Sequence, residues 1–292
     1  MSSCVKKLEL NIWKSMENSN FAVFILTHGR PDNVKTLRLI NARGYTGKVY
    51  FVVDNEDKTL DRYIENFGID NVKVFDKKAM ADKVDEGNNF NNRKVIIHAR
   101  NYCFELAKEL GITYFVQFDD DYYSLGYRYT EGEKKINNLD KVFELMLKFY
   151  KSCNILSICF SQGGDHIGGF SGIKLKRKAM NSFFCSTERP FQFVGSINED
   201  VNTYTTLGSR GELFFTFTNI NLSQGDTQSS KGGMSDEYAL SGTYVKSFHS
   251  VMMQPSSVKI SMMNAKNTRL HHSIKWINTT PMIIDNRHKK YT

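Results

Sequence analysis

Three consecutive aspartates, Asp119, Asp120 and Asp121, directly follow the segment "ITYFVQF" at 112–118, which is rich in aromatic and β-branched residues. Such a segment predicts a buried strand, so the carboxylates would lie where the chain leaves the sheet. A solvated acidic turn is the simpler interpretation of such a run. However, carboxylates held this close repel one another unless a cation offsets them. Their position therefore favours a site for Mg²⁺ or Mn²⁺, hard cations that take oxygen ligands and bridge to a diphosphate.

The first half of the chain predicts a parallel sheet. Apolar segments alternate with amphipathic ones, and strands that are apolar throughout and alternate with helices are typical of a sheet covered on both faces. In such a sheet, ligands bind beyond the carboxyl ends of the strands, where Thr27, Arg30 and Asp54 would join the three aspartates. The predicted strands are 21–27, 48–54, 72–76 and 112–119, and the predicted helices are 32–44, 58–68 and 95–111.

The second half mixes strands and helices. No internal repeat or linker divides the sequence, so we expect a single domain over 1–292, with a nucleotide-sugar-binding half at 20–125 and an acceptor-binding half at 126–292. The predicted helices are 139–152, 196–211 and one near 236–248, and the predicted strands are 154–161, 173–186, 191–195, 212–220 and 256–262.

Composition limits the classes of protein. Of 292 residues, 40% are hydrophobic and 24% charged, which predicts a soluble globular protein. No apolar run is long enough for a membrane span and the N-terminus lacks a signal-peptide core, so we expect a cytoplasmic location. Five cysteines without a metal-binding spacing predict free thiols. A net charge of +8 favours an anionic partner such as nucleic acid, although many basic proteins bind none.

Six segments, spread over residues 20–284, form an ordered set. They are "FAVFILTHGRPDNV", "VVDNED", "ARNYCFELAKELGITYFVQFDDDY", "INEDVNTYTTLGSRGELFFTF", "SGTYVKSFHSVMMQPSSVKIS" and "TRLHHSIKW". The third contains the aspartates as a DxD motif. Together the segments resemble the TET/JBP-associated glycosyltransferases, phage and eukaryotic enzymes thought to glycosylate hydroxymethylated DNA bases.

The resemblance implies a GT-A glycosyltransferase fold, with a mostly parallel Rossmann-like central sheet flanked by helices and a smaller antiparallel sheet on the acceptor side. It implies a metal-dependent hexosyl- or pentosyltransferase of bacteriophage type, acting in the host cytoplasm with Mn²⁺ or Mg²⁺. The donor would be a nucleotide-diphosphate sugar such as a UDP-sugar. The acceptor would be the hydroxymethyl group of a modified pyrimidine in DNA, with inversion at the sugar. The oligomeric state stays open.

The resemblance also assigns residues to roles. The residues implied for the nucleotide-sugar are Thr27, Arg30, Asp54, Arg100, Asn101, Asp119 and Asp120, and those for the metal are Asp121, Asp119 and His271. The acceptor-binding candidates are Asp165 and His166, in a glycine-rich stretch that the family places near the sugar, and Lys176 and Arg177, whose basic run at 173–178 could contact DNA phosphates. The catalytic candidates are Glu199 and Asp200, a pair that resembles the xED signature, in which the last acid, here Asp200, is the general base that takes the proton of the acceptor hydroxyl.

Each assignment has a structural alternative. Arg30 could form a surface ion pair, and Asp54 could cap the following helix. Ser196 and Glu199 have the spacing of a capping box, which would use Glu199 and leave Asp200 free. The histidine pair could be structural, and the basic run 173–178 could be a solvated face. At the level of function, a protein, glycan or small-molecule acceptor, a metal-dependent nucleotidyltransferase and an inactive nucleic-acid-binding module remain as alternatives.

Overall fold

A ten-stranded mixed sheet forms the centre of the molecule. The structure, a computed structural model, describes residues 20–84, 93, 95–129, 132–162, 173–225, 245–264 and 268–289. The first part contains β1 (Phe21–Leu26), α1 (Lys35–Ala42), β2 (Lys48–Asp54), α2 (Leu60–Phe67), β3 (Val72–Phe75), α3 (Lys77–Ala81), α4 (Ile97–Glu109) and β4 (Tyr114–Asp119).

The second part adds six strands of the main sheet, further helices and a separate hairpin. Its elements are β5 (Tyr122–Tyr129), β6 (Gly132–Lys135), α5 (Leu139–Ser152), β7 (Ser157–Ser161), β8 (Ile173–Lys174), β9 (Ser182–Ser186), α6 (Glu199–Ser209), β10 (Phe214–Gln224), the helix α7 at 245–253, β11 (Val258–Asn264), β12 (Thr268–Ile274), α8 (Trp276–Thr279) and a 3₁₀ turn (Asn286–His288).

The strand order is β3-β2-β1-β4-β9-β7-β10-β5-β6, with β8 paired to β10. The strands β1, β2, β3, β4, β6, β7 and β10 run in one direction, while β5, β8 and β9 run in the other. The hairpin of β11 and β12 forms its own antiparallel sheet. The predicted α/β class, with a large, mostly parallel central sheet flanked by helices and a smaller antiparallel sheet, is confirmed.

Strand β1 shows why the sheet lies at the centre of the core. All six of its side chains are buried. Because successive side chains of a strand point to opposite faces, Phe21, Val23 and Ile25 join one hydrophobic cluster, and the three residues that alternate with them join a second. The first cluster includes residues of α1, α2 and α5, and the second includes residues of α4 and α6. Helices therefore cover both faces of the sheet.

Some elements differ from those predicted. Residues 191–195 are not a strand, although Phe193 is buried and packs against the rings of Phe183 and Phe191. The β5–β6 hairpin was not predicted. Of the helix expected near 236–248, residues 236–244 lie outside the described part of the chain, and the described residues are helical from 245 to 253. Among the helices that the structure describes, none has both the length and the apolar composition needed to cross a membrane.

We expect Phe143→Ala in α5 to be among the most destabilising changes in the core. Its buried ring contacts five aromatic rings from five other elements or turns: Phe21, Tyr45, Phe118, Phe160 and Phe184. Loss of a buried phenyl ring costs about 3–5 kcal/mol of unfolding free energy, measurable by urea denaturation. Leu145→Ala on the same helix is the control, because Leu145 is 54% exposed and should change stability by about 0.5 kcal/mol or less. Equal losses in the two variants would contradict this placement of the core.

Candidate active site

The aspartate turn between β4 and β5 is held by the first turn of α1. The buried Thr36 donates its hydroxyl to the carbonyl oxygen of Asp119 at 2.5 Å and accepts the amide of Tyr122 at 3.1 Å. The amide of Thr36 donates to the carbonyl oxygen of Asp120 at 3.1 Å. These bonds fix the backbone of the turn at the carboxyl end of β4, so the directions of its carboxylates are set by secondary structure.

Asp120 is bound from the end of β1. Its two carboxylate oxygens accept from the hydroxyl of Thr27 at 2.7 Å and from Nη1 of Arg30 at 2.9 Å. Arg30 therefore forms a largely buried ion pair in place of the surface pair considered above, with its side chain only 17% exposed. Thr27, Arg30 and Asp120 therefore lie together at the predicted edge of the sheet. Arg30 offsets the charge of Asp120 inside the protein, which stabilises this arrangement.

A second guanidinium connects the turn to α6. Arg100 in α4 is fully buried, and it donates from Nη2 to Asp119 Oδ1 and from Nε to Glu199 Oε1, both at 2.9 Å. Its guanidinium carbon lies 5.4 Å from the ring centroid of Phe183 and 5.7 Å from that of Phe193. The structure thus joins the two acidic motifs of the sequence through one cation.

The neighbouring Asn101 binds the backbone of Phe193. Its amide oxygen accepts the backbone amide of Phe193 at 2.8 Å, and its amide nitrogen donates to the carbonyl of Phe193 at 3.2 Å. Both polar ends of the side chain are used in fixing the 191–195 segment to α4. A donor that contacts Asn101 would have to replace these two bonds, and the predicted role of Asn101 stays a prediction.

Asp121 differs from Asp119 and Asp120 in its hydrogen bonding. Its buried Oδ1 has no hydrogen-bond partner in the described residues. Burial and the charge of Asp120 raise the pKa of Asp121. Burial also raises the pKa of Asp119 to about 7, against the opposing effect of Arg100. A cation would offset this negative charge, and Mg²⁺ is commonly held by one or two carboxylates together with substrate phosphates. The carboxylates of Asp119 and Asp121 are therefore suited to bind a divalent cation.

His271 has a different environment from the one predicted. Burial lowers its pKa, and so do the nearby cations Arg269, Lys246 and Lys178. Such surroundings disfavour a metal cation at the imidazole. Within the described ranges, no group of three or more His, Cys, Asp and Glu side chains is arranged to hold a metal. The role of His271 as a metal ligand therefore stays a prediction.

The start of α6 is fixed by contacts with α7. Asn198 adopts a left-handed conformation with φ 54°, and its amide donates to the carbonyl of Lys246 at 2.8 Å and to Ser250 Oγ at 3.0 Å. The hydroxyl of Ser196 lies 3.2 Å from Nε2 of His249. Since Ser196 pairs with His249 and Glu199 pairs with Arg100, the capping box that their spacing allowed is not formed.

Asp200 lies beside this fixed turn. It is buried, and its Oδ1 accepts the amide of Val201 at 2.7 Å. Burial and the charge of Glu199 raise its pKa to about 6, while the Val201 amide, Lys246 and Arg100 oppose the shift. A carboxylate with a pKa near 6 is mostly ionised at neutral pH and is more basic than an exposed aspartate. Asp200 is therefore suited to accept a proton from a substrate.

A family model described as TET-Associated Glycosyltransferase matches residues 21–233. The chain belongs to this family. It is an enzyme of the glycosyltransferase class, which confirms the family and the class of enzyme expected from the sequence. A search of curated protein sequences found no match to the chain.

The solved structures that resemble this glycosyltransferase have low sequence identity to it. Glucosyl-3-phosphoglycerate synthase from Mycobacterium tuberculosis, in complex with Mn²⁺, UDP and phosphoglyceric acid, has 11% identity and a TM-score of 0.45, with 93% of each chain covered. Residues 1–349 of S. aureus TarS have 13% identity and a TM-score of 0.40, covering 69% of this chain and 59% of that one. GalNAc-T7 with UDP, GalNAc and Mn²⁺ has 12% identity and a TM-score of 0.40, covering 70% and 43%.

In this glycosyltransferase the surroundings of Asp54 include residues that the sequence did not single out. Nδ1 of His28 lies 2.7 Å from Asp54 Oδ2, and Nζ of Lys77 lies 3.2 Å from Oδ1, which also accepts the amide of Glu56 at 3.1 Å. Burial raises the pKa of Asp54, but its bonds with His28 and Lys77 outweigh this and lower it. Both oxygens of Asp54 are occupied, and His28, with 41% of its side chain exposed, is the accessible member.

The structure describes two of the four predicted acceptor-binding residues. Asp165 and His166 lie outside the described residues. Lys176 is exposed and Arg177 is half-buried in the segment after β8. The next residue, Lys178, is the one that acts electrostatically on Lys246. Lys246 was missed because its segment contains one lysine among apolar and hydroxyl residues, and nothing in its spacing places it beside Asp200.

We expect Arg100→Leu to destabilise the glycosyltransferase by about 3–5 kcal/mol, because two buried acids would lose their shared partner. Arg62→Ala is the matched control. It breaks a surface ion pair with Asp32 in which both side chains are 59% exposed, worth about 0–1 kcal/mol. Chemical denaturation of the two variants gives the comparison. A loss in Arg100→Leu no larger than in Arg62→Ala would show that the buried bridge does not hold the two motifs together.

Proposed function

We propose that this glycosyltransferase moves a sugar from a nucleotide-diphosphate donor, in particular a UDP-sugar, to the hydroxymethyl group of a modified pyrimidine in DNA, with inversion at the anomeric carbon. One observation carries the proposal. Arg100 couples the turn with the unpaired Asp121 to the helix start with Asp200. A candidate for leaving-group stabilisation and a candidate for proton transfer are thereby linked in one site.

The donor end of the proposal rests on Asp119 and Asp121. These carboxylates would hold Mn²⁺ or Mg²⁺, which supplies stabilisation of the negative charge that develops on a departing diphosphate. Arg30, Thr27 and Asp120 brace the turn through their mutual bonds. His28, held by Asp54, is the exposed polar group of the β1 end and is our candidate for contact with the nucleoside.

The acceptor end rests on Asp200. In our proposal its carboxylate takes the proton of the acceptor hydroxyl while the hydroxyl oxygen bonds to the anomeric carbon. The bond between that carbon and the diphosphate oxygen breaks, and its electron pair leaves with the nucleoside diphosphate. Attack from the face opposite the leaving group gives inversion. Glu199 is bound by Arg100 and positions the start of α6, so we assign the base to Asp200 alone.

DNA is proposed as acceptor on the strength of charge and of family membership. A net charge of +8 favours a polyanion and would steer it electrostatically to the protein. A pyrimidine inside a duplex would have to be flipped out or presented in a single strand to reach Asp200.

The direct test incubates the protein with Mn²⁺, a panel of UDP-sugars and DNA containing hydroxymethylated pyrimidines, followed by mass spectrometry of the nucleosides. We expect a nucleoside heavier by one sugar residue. Asp200→Asn should lower kcat by about 10²–10⁴-fold and leave UDP binding intact, as expected for loss of a general base. Asp121→Asn should weaken metal-dependent UDP binding. Asp82→Asn, at an exposed position in a surface ion pair, should match the wild type.

The result separates the alternatives. Release of pyrophosphate in place of UDP would identify a nucleotidyltransferase, and transfer to a protein, glycan or small molecule but not to DNA would replace the acceptor. Absence of transfer from every donor, or full activity of Asp200→Asn, would overturn the proposal.

The pH dependence of transfer should report Asp200. Its raised pKa of about 6 means that the carboxyl is protonated, and inactive as a base, at lower pH. We expect kcat to fall as pH drops through about 6 and to level off above it. Lys246→Gln removes a cation that favours the ionised form, so the midpoint should move to higher pH, whereas Lys259→Gln on the exposed face of β11 should leave it in place. A midpoint that does not respond to Lys246→Gln would exclude Asp200 as its origin.

A further inference from the structure

Three segments bring basic side chains near Asp200. They are the end of the 173–178 run, helix α7 at Lys246 and strand β12. Each is tied in place by a backbone contact: Thr216 Oγ1 donates to the carbonyl of Lys178 at 2.8 Å, Asn198 donates to that of Lys246 at 2.8 Å, and Ser247 Oγ donates to that of Leu270 at 3.3 Å. The basic cluster consists of Lys178, Lys246, Arg269 and His271.

Members of the basic cluster act on one another electrostatically. Burial lowers the pKa of Lys246, and Arg269 and Lys178 lower it further, whereas Asp200 and Glu199 raise it. Burial and the same three cations lower the pKa of His271. The ring of His272 lies 4.2 Å from that of His271, and its pKa falls to about 3. Both imidazoles are therefore neutral and can donate from a ring nitrogen.

Among the described residues, the positive charge of this cluster exceeds the negative charge beside it. Asp200 and Glu199 both act on Lys246, and Glu199 is also bound by Arg100. Within the same residues, neither Lys178 nor Arg269 forms an ion pair with a carboxylate, and the guanidinium of Arg269 donates to the sulfur of Met263 at 3.8 Å. Cations gathered without an equal number of anions repel one another, and a bound anion would remove that cost.

We propose that Lys178, Lys246, Arg269 and His271 form a phosphate-binding site next to Asp200. The set suits a phosphate, since a guanidinium and ammonium groups supply charge-assisted donors and a neutral imidazole adds a further N–H. The inference rests on the proposed function for the source of the phosphate. Asp200 must lie where donor and acceptor meet, so the group belongs either to the diphosphate of the donor or to the backbone of the nucleic acid acceptor.

The test uses the double variant Lys178→Gln/Arg269→Gln and the control Lys259→Gln, which changes an exposed lysine of the same hairpin. Calorimetric titration with inorganic pyrophosphate, without any sugar or metal, probes the site directly. We expect the double variant to bind pyrophosphate about tenfold more weakly or worse, as loss of charged donors predicts, and the control to match the wild type. An unchanged melting temperature would show that the fold is intact.

Two further titrations identify the source. Titration with UDP and Mn²⁺ measures affinity for the donor diphosphate. Titration with a short single-stranded oligonucleotide measures affinity for the acceptor backbone. If the backbone occupies the site, the double variant loses oligonucleotide affinity alone, and the slope of log affinity against log salt falls by about 0.7 per lost phosphate contact. If the diphosphate occupies it, only UDP affinity falls.

The outcomes separate this site from the proposed function. Wild-type affinity of the double variant for pyrophosphate, UDP and oligonucleotide would overturn the site even if sugar transfer to DNA is observed. Conversely, weakened pyrophosphate binding in a protein that transfers no sugar to DNA would support the site and reject the acceptor.

Discussion

One buried cation, Arg100, holds the active-site candidate together. It comes from α4 and is bonded at once to Asp119, 19 positions later in the chain, and to Glu199, 99 positions later. Removing a guanidinium and two carboxylates from water is costly, so the arrangement depends on the quality of its geometry. The two charge-assisted bonds and the rings of Phe183 and Phe193 supply that geometry. Arg100 thereby links the aspartate turn, which Thr36 holds, to the start of α6, which α7 holds.

The acids of the site fall into two groups, those that are bound by a cationic side chain and those that are not. Asp120 is neutralised by Arg30, Glu199 and Asp119 share Arg100, and Asp54 is bound by His28 and Lys77. These pairs hold the four carboxylates in place. Within the described part of the chain, neither Asp121 nor Asp200 is hydrogen-bonded to a guanidinium, and a buried charge without such a partner is available to a cation or a proton. We therefore assign metal binding to Asp121, together with the adjacent Asp119, and proton transfer to Asp200.

The sequence predicted elements well where hydrophobic periodicity decides them. Strand β2 and helix α5 have the limits that were predicted, since an apolar run bounded by polar residues and a regular amphipathic pattern are local signals. The prediction of a strand at 191–195 was wrong. Phe193 is buried because it packs against α4 and neighbouring rings, and its backbone is bonded to Asn101 instead of to a strand. The β5–β6 hairpin was missed because it is rich in tyrosine and charge and has one apolar aliphatic residue to mark a face.

Contacts between single residues were predictable only where adjacent parallel strands bring the residues that follow them to the same edge of the sheet. Thr27, Arg30 and the aspartates follow adjacent parallel strands, so their meeting was expected, whereas the partner of Arg100 on α6 lies 99 positions away and has no local signature. His271 shows the same limit in reverse. Its residue type suits a metal, yet burial and the nearby cations Arg269, Lys246 and Lys178 lower its pKa, which is the environment that led us to propose a phosphate there. The charge of the surroundings, which only the folded chain supplies, decides whether an imidazole of this kind faces a metal or a phosphate.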